Sequence, residues 1–90
     1  MDTNVYVKAV NEAYQHMHKD ATLRVAIFGI LAETTQVSLN LGSSYLPSYL
    51  SAREVQDHLG KLFQYAVLLG SVLDLPLDNT LQKSIDQLPK

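Results

Sequence analysis

The chain has 90 residues, 47% of them apolar and 18% charged, with a formal charge of −2 and no cysteine. That length allows one small domain with a thin core, and the composition is that of a globular chain, not a disordered one. Disulfide scaffolds and thiolate metal sites are excluded, the acidic balance argues against nucleic-acid binding through a basic face, and Arg24, Glu33, Lys61 and Gln64 interrupt every stretch that could span a bilayer.

Met1-Asp2-Thr3-Asn4 has neither the basic nor the apolar stretch of a signal peptide, so a cytoplasmic location is expected. Tyr6, Val10, Ala13, Tyr14 and Met17 recur at helical steps, which predicts a first helix capped by Asp2 or Thr3 and running to about His18. Asp20 is the next N-cap signal. From Ala21 to Leu41 there is no proline and one glycine, Gly29, and the apolar residues Leu23, Val25, Ile27, Phe28, Ile30, Leu31, Val37 and Leu39 cover so much circumference that burial on more than one side is expected. Gly42 is read as the C′ stop, and Ser43 to Leu50 as a loop that Tyr45, Leu46, Pro47 and Tyr49 pack down. Ser51-Ala52-Arg53-Glu54 has the form of a capping box, placing the start of a third helix at Ala52 and its end near Asp74, before Pro76. A short fourth helix follows from about Asp78 to Leu88. The fold class is all-α: one domain over residues 1–90, with two long helices in an antiparallel hairpin and two shorter flanking ones. Two helices apolar on several sides need more cover than two short ones give, so a homodimer with a shared helical core is expected.

Most acids lie at termini and loops. Glu33 does not: it sits midway along an apolar helix, one turn from Gly29, Ile30, Gln36 and Val37. Glu54 and Asp57 lie three apart on one face of the third helix, with Lys61 a turn further on. An antiparallel hairpin brings Glu33 and Gln36 within range of Glu54 and Asp57, and unpaired carboxylates between helices cost several kcal/mol, roughly. Clustered carboxylates of this kind are commonly compensated by a hard divalent cation.

The segment Leu31-Ala32-Glu33-Thr34-Thr35-Gln36-Val37, followed at a distance by Glu54-Val55-Gln56-Asp57, resembles the paired E-x-x-E and E-x-x-D motifs of MazG-like nucleotide pyrophosphohydrolases, and the similarity runs from about Val10 to Lys83. The resemblance implies an all-α hydrolase that cleaves (deoxy)nucleoside triphosphates to the monophosphate and pyrophosphate. It further implies Mg²⁺ held by Glu33, Gln36, Glu54 and Asp57, with Glu33, Glu54 and Asp57 as catalytic carboxylates. Lys61, Asn79 and Lys83 are then the substrate-binding residues, and subunits pair with sites near the interface. The chain departs from the motif at Gln36, which brings no charge, and at Lys61, whose ammonium can neutralise the carboxylates in place of a metal. The alternative is therefore a catalytically degenerate module for self-association or partner binding on the same scaffold.

Blander readings stand beside these. Glu54 can be the return partner of the capping box, and Asp57 with Lys61 an ordinary surface pair. His16 and His18 fit a solvated helix end, while His58 does not complete the E-x-x-H pattern of di-iron bundles. Gly60 and Gly70 mark close helix approach, and no P-loop or nucleophile-elbow motif is present.

Overall fold

Asp2 starts the first helix as the sequence predicts: its Oδ1 accepts the Asn4 backbone N–H at 2.8 Å. The computed structural model describes residues 2–42 and 49–89, with side chains over 2–38 and 52–89. These residues form four helices, α1 (Thr3–Tyr14), α2 (Lys19–Gly42), α3 (Tyr49–Val72) and α4 (Leu77–Asp86), and no strand is found among them. No helix among them is long and apolar enough to cross a membrane.

The boundaries differ from expectation where backbone bonding decides them. α1 stops at Tyr14, because Gln15 and Met17 donate to the carbonyls three residues back and tighten the chain out of the α register. α2 then starts at Lys19, so Asp20 stands in its first turn, against the positive end of the helix, instead of capping it. α3 begins at Tyr49, which puts Ser51 inside the helix and removes the capping-box role from Ser51 and Glu54. The expected loop at Ser43–Leu50 lies outside the described residues except for Tyr49 and Leu50, which are helical.

α3 ends in a Schellman turn. The Leu75 N–H donates to the Gly70 carbonyl at 2.8 Å and the Asp74 N–H to the Ser71 carbonyl at 3.1 Å, with Asp74 in the left-handed region at φ 56°. Pro76, extended at φ −61° and ψ 135°, then leads straight into α4, where it cannot be missed as a donor because first-turn N–H groups have no helical partner.

α2 and α3 pack along one another and run antiparallel: Gly29 meets Tyr65, and one turn further along α2, Glu33 meets His58, two turns earlier on α3. The close approach falls at Gly29, where a Cβ would stand 2.6 Å from the Tyr65 ring. Gly60, expected to mark such an approach, has nothing within 4 Å of that position. α1 lies against α3, and the buried core draws one apolar side chain from each of three helices: Val10, Ala26 and Leu68. Thr22 is also buried, its hydroxyl donating to the His18 carbonyl at 2.9 Å. Among the described residues no large side chain is fully buried, and within one chain the outer face of α2 stays open, with Phe28 64% and Leu31 62% exposed. α4 packs on α3 and buries no residue.

Candidate functional site

Glu33 is the one acid that the fold draws inward. It faces α3 because it follows Gly29 by one helical turn, and Gly29 is where the helices touch most closely. Its Oε2 lies 2.5 Å from the Nδ1 of His58, with side-chain exposures of 12% for Glu33 and 22% for His58. At that distance the imidazole N–H donates to the carboxylate, and a protonated ring makes the contact an ion pair.

Beside this pair sits a second polar group. The Gln64 side-chain N–H donates to the Tyr14 hydroxyl at 2.9 Å, tying α1 to α3. Burial pushes the Tyr65 phenol above its ordinary value, reinforced by the nearby Tyr14 and Glu33 and by hydrogen bonding with Tyr14; burial raises Tyr6 as well. A phenol that holds its proton more tightly in the folded chain contributes stability that is intact below pH 10, the ordinary value, and lost as pH rises through the folded value. Urea midpoints taken at increasing pH are therefore expected to stay level up to about pH 10 and to fall beyond it, in step with phenolate absorbance. A midpoint that rose above pH 10 would contradict this arrangement.

The other residues singled out in the sequence lie elsewhere. Gln36 is exposed one turn beyond Glu33 on α2, and Glu54, Asp57 and Lys61 are exposed on α3. Asn79 and Lys83 are exposed on α4. Among the described residues no three of His, Cys, Asp or Glu are grouped as a metal ion's ligands would be. The donor set around Glu33 is one carboxylate oxygen already engaged by an imidazole, an outward amide and a ring nitrogen. Mg²⁺ requires octahedral oxygen ligands, and this set does not fit it.

His58 is the site residue that sequence reasoning passed over. Asp57, expected to face Glu33, is the chain neighbour of His58 and is exposed. The direction was wrong, since one residue is about 100° of rotation on a helix. Tyr65 carried the signal: it stands seven residues, two turns, after His58 on the same face, and its ring needs the gap that Gly29 leaves.

In comparisons with known proteins, no family model, no curated protein and no solved structure matches the chain.

Proposed function

We propose that the chain is a non-hydrolytic helical association module that acts as a homodimer, on a scaffold similar to that of the MazG-like pyrophosphohydrolases, with the His58 ring as the hydrogen-bond partner of Glu33 where those enzymes hold a metal ion. The observation that carries this reading is the Glu33–His58 contact at 2.5 Å: the inward carboxylate already has its compensating partner. Lys61, the cation first suggested for that role, is exposed, while His58 is within hydrogen-bond distance.

Support for association comes from surface area. The chain exposes 7237 Å², whereas a compact monomer of 10.0 kDa exposes about 5,200 Å². The radius of gyration is 14.9 Å, against about 12 Å for a compact domain of this length. An excess of roughly 2,000 Å² exceeds the ~800 Å² per partner that a standard interface covers.

Millimolar Mg²⁺ is expected to leave the melting temperature unchanged, and a panel of nucleoside triphosphates to release no pyrophosphate. A ligand present at 100 times its Kd would add about 2.7 kcal/mol, a shift of roughly 10 °C or more for a domain this small. Such a shift, or pyrophosphate release, would replace this reading with the second one, Mg²⁺-dependent nucleotide pyrophosphate hydrolysis. The order of Glu33, Gln36, Glu54 and Asp57 along the sequence is what favours that second reading.

A further inference from the structure

α3 carries an apolar row, Leu59, Phe63, Ala66, Gly70 and Leu73, at successive steps of four, three, four and three residues. That is the heptad spacing of a helix seam, the pattern by which two helices pack along one another. Most of this row stays open among the described residues: Leu59 is 40%, Phe63 66% and Leu73 50% exposed, and Ala66 is exposed, while Gly70 is half-buried beside Leu75. Phe63, Ala66, Gly70 and Leu73 line an open apolar groove of about 690 Å³, walled also by Val7 of α1, Ile30 of α2, and Leu77 and Leu81 of α4.

The row holds no charge, so two copies of it do not repel each other. Its sizes run large, small, small, large over Phe63, Ala66, Gly70 and Leu73. Turned end over end, the same sequence meets itself with Phe63 opposite Leu73 and Ala66 opposite Gly70. Such self-complementarity is what a two-fold interface requires, and the paired small residues let the two backbones approach. The small size of Gly70 has no close neighbour to explain it within the chain, since a Cβ there would meet only the Leu75 carbonyl, at an ordinary 3.5 Å.

We infer that the α3 row is the dimer seam, with a second copy of this chain packed on it antiparallel, α3 against α3. The inference rests on the proposed association and adds its face and direction. The chain has no native cysteine, so introduced ones report pairing cleanly. Light scattering on the full chain at about 100 μM is expected to give twice the 10.0 kDa mass. F63C/L73C is expected to become a covalent dimer on mild oxidation, and F63C alone to remain uncrosslinked. Phe63→Glu and Ala66→Arg are expected to lose the dimer mass, while Phe28→Glu on the outer face of α2 keeps it. A wild-type monomer overturns both the association and the seam. A wild-type dimer that tolerates Phe63→Glu and Ala66→Arg, or that Phe28→Glu dissociates, overturns the seam alone. Ready crosslinking of F63C to itself overturns the antiparallel direction. Because the crosslinks form in chains without a charged substitution, they decide the matter even if Phe63→Glu fails to fold.

Discussion

Gly29→Ala is expected to destabilise the fold by about 1–3 kcal/mol, the usual cost of forcing extra volume into a packed contact. At this chain length that is a fall in melting temperature of roughly 4–8 °C for each kcal/mol. Elsewhere in an exposed helix the same change stabilises, because alanine is the better helix former by about 1 kcal/mol. At Gly29 the sign reverses, since the added methyl would stand 2.6–2.7 Å from three Tyr65 ring carbons. Neither helix can yield there without carrying other contacts with it. The ring would have to swing out, or α2 and α3 would have to separate along the line that also holds Glu33 against His58. The double variant G29A/Y65L should recover most of the loss, because removing the ring removes the obstacle. Thermal melts of the two single variants and the double settle the point, and an alanine variant as stable as the parent would show that Tyr65 does not occupy the Gly29 gap.

His58→Leu is expected to cost a further large amount, about 1–3 kcal/mol, because it strips Glu33 of its hydrogen-bonded partner while the carboxylate stays largely out of water. The figure lies below the ~3–5 kcal/mol typical of a fully buried pair, since both groups retain some solvent contact. Glu33→Leu together with His58→Leu should be close to neutral, apolar groups of similar volume replacing a desolvated pair without loss. Lys61→Ala, by contrast, should change stability by no more than about 0.5 kcal/mol, as exposed substitutions usually do. Urea denaturation of these three variants, with Glu33→Leu completing the cycle, gives the coupling directly. Equal sensitivity at His58 and Lys61 would return Lys61 to the role of counter-charge.

The two variants share a cause. The cap at Asp2, the break before Pro76 and the two long apolar segments were legible from their residue types, whereas the cap signals at Asp20 and Ser51 were not used as caps. Antiparallel packing of α2 on α3 was also legible from their apolar lengths. What the chain does not display in one dimension is the rotation of α3 about its own axis. Rotation is set by which side chain enters the gap at Gly29, and only contact between the helices selects Tyr65. Once that ring is placed, His58 follows to Glu33, and Glu54 and Asp57 turn to solvent. His58, not Asp57, is thus the α3 residue that meets Glu33. The extra turn at the start of α3 had a similar origin: a local capping pattern at Ser51 lost to continuation of the helix from Tyr49.

α4 buries nothing of its own, so its ten residues are free to unzip without disturbing Val10, Ala26 or Leu68. Segments of that kind open sub-globally, at a fraction of the free energy of complete unfolding. The amides of α4 should therefore trade their hydrogens for deuterium well before those of α2 and α3, and each such opening would lengthen the hydrophobic trough beside Phe63 by withdrawing one of its walls.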